Sequence, residues 1–160
     1  MTTRESFRLI ACDARGVPVA DAPALDTEMR GHAEATAALY ARVGFEPPFV
    51  GYIAVAGETA VGGGAFVGPP RDGVVEIAYY TQAAFEGRGY ATRTARALVE
   101  IARRAGCTVI AHTLMTHNPS TRILGGLGFV VDGTAQDDDA GTVWRWRLAA
   151  MAPASTTPAS

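Results

Sequence analysis

The chain has 160 residues, of which 48% are hydrophobic and 19% charged, with a formal net charge of −2 at pH 7. That length fits one domain and leaves no room for two independent cores. A nucleic-acid binder carries a basic excess or stripe, and a pI near 5.9 offers none, so no nucleic-acid partner is expected.

No apolar run approaches the roughly 20 residues of a membrane span. The segment Met1–Asp13 lacks the 7–15-residue apolar block of a secretory signal. Cys12 and Cys107 stand far apart, outside any Cys-x-x-Cys or Cys/His ligand pattern. One disulfide is formally open, but two reduced thiols in a cytoplasmic protein are the expectation. No membrane contact and no metal are expected.

Ser6–Cys12 alternates and reads as an opening strand. Ala24–Val43 has helical spacing, with Gly44 as a stop; Gly31 weakens it by about 1 kcal/mol and allows it to divide in two. Pro47-Pro48 launches a strand over Phe49–Ala56, which turns through Gly57-Glu58-Thr59 into Ala60–Val67. After the turn Gly68–Gly73, a third strand of the meander covers Val74–Thr81. Tyr90–Ala105 is free of Gly and Pro and follows the 3.6-residue period up to Gly106. Cys107–Leu114 is the next strand, so the unit is β–loop–α–β with two parallel strands. Asn118-Pro119 reads as a helix cap and first turn for a short helix, Ser120–Leu127, closed by Gly128. Phe129–Val131 and Thr142–Leu148 are the last strands, separated by a turn at Asp137-Asp138-Asp139. The Pro-containing tail 150–160 has nothing to bury and is expected to be disordered.

The chemistry concentrates in Glu76–Thr92, where a strand leads through a glycine loop into a helix. A helix N-terminus carries about half a positive charge and unpaired amides, a combination suited to phosphates. Gly87 and Gly89 permit close approach, and Arg88 can add a guanidinium. The bland alternative is a tight β–α turn. A Walker loop, GxxxxGK[ST], does not occur. A dinucleotide fingerprint fails too, because the third glycine is missing and the following strand ends Ala111-His112-Thr113-Leu114 without a carboxylate.

Glu86-Gly87-Arg88-Gly89-Tyr90-Ala91 instead resembles the coenzyme A loop of the GNAT acetyltransferases, Q/R-x-x-G-x-G/A, apart from its first position. Asn118-Pro119-Ser120 running into Leu127-Gly128-Phe129 resembles a second segment of that family, and the element order agrees over residues 6–149. The Glu-Ile-Ala-Tyr-Tyr strand and the Asn-Pro-Ser loop look most like the branch containing ribosomal-protein N-terminal acetyltransferases. The resemblance implies an α/β (α+β) fold, a single domain over 6–149 with a mixed, mostly antiparallel twisted sheet flanked by helices on both faces. It implies acetyl-CoA as co-substrate, no metal, and a small-molecule amine or a protein N-terminal amine as acceptor. A homodimer is compatible with it.

The same resemblance assigns roles. The pyrophosphate would meet Glu86, Gly87, Arg88, Gly89, Tyr90, Ala91 and Thr92; the pantetheine arm would pair with the edge Ile77, Ala78, Tyr79 and Tyr80, with Asn118 as a further partner or simply a helix cap. A strand N–H near Ala78 or Tyr79 would stabilise the oxyanion. Glu76 is the candidate base, against a structural role facing solvent or an arginine. Relatives place a Tyr acid four residues before the Gly of Leu-Gly-Phe, where this chain has Leu124; Ser120 is the substitute, or only a residue of the helix start. Glu86 replaces the expected Gln or Arg. His32, His112 and His117 are expected in packing or surface roles, with His117 a minor candidate base, and Trp144 and Trp146 in packing. The reading is an N-acetyltransferase working by direct amine attack in a ternary complex. The alternative is a non-catalytic acyl-CoA-binding or regulatory module of the same fold.

Overall fold

A computed structural model describes residues 6–148; the tail expected over 150–160 lies outside them. The chain runs β1 (Phe7–Ala11), α1 (Thr27–Val43), β2 (Gly51–Ala56), β3 (Thr59–Phe66), β4 (Val74–Thr81), a 3-10 turn (Ala83–Phe85), α2 (Tyr90–Arg104), β5 (Thr108–Thr113), α3 (Pro119–Gly126), β6 (Val130–Asp137) and β7 (Gly141–Leu148). Seven strands form one sheet in the order β1-β2-β3-β4-β5-β7-β6. Every neighbouring pair is antiparallel except β4 and β5, which the α2 crossover makes parallel. This is the expected mixed, mostly antiparallel sheet.

Helices cover both faces. Asp26 caps α1 by accepting a hydrogen bond from the Met29 amide at 2.9 Å. Met29, with no exposure, then packs among Ile10, Cys12, Ile53, Val55 and Ala60. On the other face, Thr94, Leu98 and Ala102 of α2 follow the helical period and are buried. Leu98 belongs to the larger core with Phe66, Ile77, Val109, Leu124 and Trp146; truncating such a residue to Ala costs about 2–5 kcal/mol.

Three details differ from expectation. The first helix begins at Thr27 rather than Ala24, because Asp26 is its cap, and it runs through Gly31 without dividing. The 3-10 turn over Ala83–Phe85 has no counterpart in the sequence reading. β6 extends to Asp137, well past Val131. It is exposed almost throughout, so it lacks apolar alternation; its ladder to β7, irregular between Val131 and Thr134, makes it a strand.

Candidate active site

The parallel pairing of β4 and β5 is short. Val74, Val75 and Glu76 register with Thr108, Val109 and Ile110, and beyond Glu76 the strands part. β5 continues along β7, and β4 continues along β3 as far as Thr81. The Gln82 amide bonds Val61 O and the Glu76 carbonyl accepts from the Val67 amide, so even-numbered residues of β4 turn their backbone groups to β3. Odd-numbered residues face the other way, as the bond from the Thr108 amide to Gly73 O shows. The main-chain groups of Tyr79 and Thr81 therefore border the gap between the diverging strands, an edge on which an extended ligand can pair.

That gap opens into a cleft of about 750 Å³ lined by Tyr79, Tyr80 and Thr81 of β4, Glu86, Gly87, Gly89, Tyr90, Ala91 and Thr92 around the start of α2, and Pro119, Ser120, Arg122 and Ile123 of α3. The structure thus gathers most of the residues read from sequence as the cofactor site. Gly87 and Gly89 adopt φ +79° and +83°, which L side chains rarely do, and a Cβ at either would meet only open space. Gly89 caps α2 without a side-chain oxygen, so the first-turn amides, such as those of Ala91 and Thr92, point at the cleft unsupported by a side chain. Two hydroxyls of this wall, Tyr79 Oη and Thr81 Oγ1, are buried without a hydrogen-bond partner. Amides, a helix N-terminus and orphaned hydroxyls fit a long, phosphate-bearing, amide-containing ligand.

Four expected ligand residues stand differently. Ala78, like Tyr80, turns its main chain to β3 and so cannot serve the free edge, and Ala78 does not line the cleft. The Ile77 side chain is buried in the core, leaving only its backbone to serve the edge. Arg88 lies with its guanidinium 5.7 Å from the Phe85 ring centre and does not line the cleft. Arg122, which no motif singled out, is the cation of the lining. Asn118 takes the capping role: its Oδ1 accepts from the Thr121 amide at 3.0 Å, while Thr121 Oγ1 accepts from the Asn118 amide at 2.9 Å.

Even-numbered β4 side chains lie on the α1 face. There a cavity of about 280 Å³ is bounded by His32, Tyr40, Tyr52, Ile53, Ala78 and Tyr80, among others. His32 and Tyr80 stack with ring centres 4.0 Å apart, and the Tyr40 hydroxyl donates to Phe66 O at 2.6 Å. Asp13 is the one carboxylate of the lining, and its Oδ1 already accepts from the Arg15 and Val17 amides, which hold its pKa below the usual carboxylate range. Tyr79 and Tyr80 border both this cavity and the cleft.

Glu76 also projects to the α1 face, but it borders neither the cleft nor the aromatic cavity; it lines a separate cavity of about 470 Å³ with Leu39, Val43, Arg71 and Ile110. Its Oε2 lies 3.0 Å from His112 Nδ1, and the two side chains are about a quarter exposed. The sequence suggests only a packing or surface role for His112; the β5 register brings it to Glu76. His117, the minor candidate base, is exposed, with its ring 6.0 Å from that of Trp144. Trp146 packs in the core, its Nε1 donating to Thr113 Oγ1 at 2.9 Å. Both cysteines are free and buried. Among the described residues no helix is long and apolar enough to cross a membrane.

Comparison with known proteins agrees with this architecture. The model of the acetyltransferase (GNAT) domain matches residues 13–130, most of the chain, and the chain therefore belongs to the GNAT acetyltransferase family. No protein of curated function matches the sequence. Among solved structures, yncA from Salmonella typhimurium, described as a putative acetyltransferase with its cofactor acetyl-CoA, is 20% identical, with TM-score 0.61 over 96% of this chain and 98% of that one. RimL, a ribosomal L7/L12 alpha-N-protein acetyltransferase in complex with coenzyme A, is 18% identical, with TM-score 0.60 over 76% and 71%. An N-acetyltransferase from Staphylococcus aureus Mu50 is 19% identical, with TM-score 0.53 over 62% of this chain and 66% of that one. The chain thus spans just under two thirds of that last protein.

Proposed function

We propose that this protein is an acetyl-CoA-dependent N-acetyltransferase that passes the acetyl group directly to a primary amine in a ternary complex. The carrying observation is the junction at Tyr79-Tyr80, where a phosphate-suited cleft and a separate aromatic cavity meet across one strand. Acetyl-CoA fits the cleft: the amides of Gly87–Ala91 would hold the pyrophosphate with Arg122 beside them, and the free edge of β4 would pair with the pantetheine amides. When bound, it supplies a thioester whose carbonyl carbon accepts the amine. The Tyr79 N–H, turned to the gap, would stabilise the oxygen as it gains charge; removing such a donor typically costs about 3–4 kcal/mol.

The amine must lose a proton to attack. Glu76 takes that role in this reading, with His112 holding its carboxylate, and Ser120, which lines the cleft, would meet the departing sulfur. For the acceptor, a protein N-terminus has RimL as its structural precedent. The cavity favours a small amine with an apolar or aromatic body, since its lining is largely aromatic and aliphatic and its one carboxylate is engaged by backbone amides. The test is release of free thiol from acetyl-CoA with a panel of amines: arylalkylamines, polyamines and N-terminal peptides. Turnover with one class supports the reading. Tight coenzyme A binding with no turnover on any acceptor would favour the non-catalytic acyl-CoA-binding module instead.

A further inference from the structure

Relatives with the usual arrangement place a tyrosine hydroxyl beside the leaving sulfur at the position of Leu124. Here Leu124 is 1% exposed and sits in the core with Leu98 and Phe129, so neither chemistry nor position lets it serve. A phenol nevertheless reaches the cleft from another element. Tyr79 turns its main chain to the gap and its side chain to the α2 face, where its ring packs against the main core and its hydroxyl is buried with no hydrogen-bond partner. An unsatisfied buried hydroxyl is a net cost to the fold and calls for an explanation. Ser120 is its nearest polar neighbour: its hydroxyl lies close enough to lower the Tyr79 pKa against the effect of burial, but the pair does not reach full hydrogen-bond geometry, which leaves the phenol O–H available.

We infer that the Tyr79 hydroxyl is the hydrogen-bond donor to the leaving thiolate, replacing from β4 the tyrosine that α3 lacks. This rests on the acetyltransferase reading above. As the C–N bond forms and the C–S bond breaks, the electron pair of the latter passes to sulfur, and Tyr79 Oη–H donates to it. The phenol keeps its proton. Burial pushes it up to about 12, so it cannot yield that proton to a thiolate of ordinary thiol basicity, near 8.5. The sulfur therefore departs as a thiolate and takes its proton from solvent on release. Tyr79 thus works from two atoms, its amide toward the carbonyl oxygen and its hydroxyl toward the sulfur.

The test is Tyr79→Phe, which removes one oxygen and keeps the packing ring. The readout is the pH titration of the thiol in bound coenzyme A, followed by thiolate ultraviolet absorbance, with affinities for coenzyme A and desulfo-coenzyme A measured above the thiol pKa. In the parent protein the bound thiol should titrate about one unit below its Tyr79→Phe counterpart, and the preference for coenzyme A over the desulfo form should fall about tenfold in the variant. The variant should melt no lower than the parent, since it loses an unpaired buried hydroxyl. Identical thiol titrations in both proteins would overturn the inference, as would a shift appearing in Ser120→Ala but not in Tyr79→Phe. Failure of the parent protein to bind coenzyme A at all would instead overturn the cofactor reading, and this inference with it.

Discussion

His112 Nδ1 lies 3.0 Å from Glu76 Oε2, tying β5 to β4 at the last residue before the two strands separate. With Glu76 ionised, its carboxylate only accepts, so the imidazole donates through Nδ1–H and occupies one of the two Glu76 oxygens. Glu76→Gln should lower kcat by about 10²–10⁴ while the coenzyme A Kd stays near that of the parent. The loss should shrink as pH approaches the pKa of the amine, where free amine forms unaided. His112→Ala should cost about 1.5–3 kcal/mol in the kcat barrier, the worth of a hydrogen bond to a charged group. Steady-state kinetics with calorimetric Kd values decide this, and an unchanged kcat in Glu76→Gln, with chemistry rate-limiting, removes Glu76 from the mechanism.

Gly89 stands at φ +83° at the start of α2, with open space where a side chain would point. Gly89→Asp places a carboxylate and an unfavourable backbone conformation at the anion end of the cleft. Coenzyme A affinity should fall tenfold or more, about 1.4 kcal/mol, by calorimetry on the folded variant. Undiminished affinity would place the phosphates elsewhere.

Gly31 is the fifth residue of α1 and a Cβ there meets nothing within 4 Å; open space likewise surrounds a Cβ at Gly125 in α3. Neither has a positive φ. Gly31→Ala and Gly125→Ala should each stabilise the protein by about 0.5–1 kcal/mol, seen as a higher Tm. A lowered Tm in Gly31→Ala would mean that this face of α1 meets a partner.

The Cys12 thiol is buried against the α1 core, and burial, with Asp13 adding to it, pushes its pKa from 9.0 to about 11. In an unfolded chain the thiol ionises from pH 9.0 upward while the folded one keeps its proton. The unfolded state then binds fewer protons, and stability falls as pH rises through that window. Cys12→Ala should flatten this alkaline decline in Tm between pH 9 and 11. Native protein at pH 8 should also react slowly with thiol reagents, because Cys107 is buried too and its pKa is likewise raised by burial.

Features set by a few consecutive residues were legible in the chain. Gly87, Gly89 and the Gly-free run that follows define a loop and helix start through backbone freedom alone. Asn118-Pro119 announces a capped helix for the same local reason. Contacts made by distant strands left no such mark. His112 meets Glu76 only through the β4–β5 register, and Arg122 joins the cleft only because α3 and the start of α2 border it together. The run Gly62-Gly63-Gly64 was read merely as strand. In the fold a Cβ at Gly62 would strike Tyr80 O, one at Gly63 would sit 3.1 Å from Tyr80 Cε1, and one at Gly64 would reach 2.7 Å from Leu98 Cδ1. β3 is bare so that Tyr80 can lie across it on one side and α2 can press on it from the other.

That bareness bears on how the two reactants are kept apart. Tyr79 and Tyr80 are consecutive, so the two-residue period of a strand sends one ring to each face. A one-residue slip of β4 against β3 would exchange them, burying the sulfur-side phenol under α1 and thrusting the ring that stacks on His32 among the phosphate amides. No side-chain change would be needed to inactivate the protein. Gly63 gives the Tyr80 ring room in the observed register, so under the proposed function the partition between donor and acceptor compartments would depend on a neighbouring strand that touches neither reacting group.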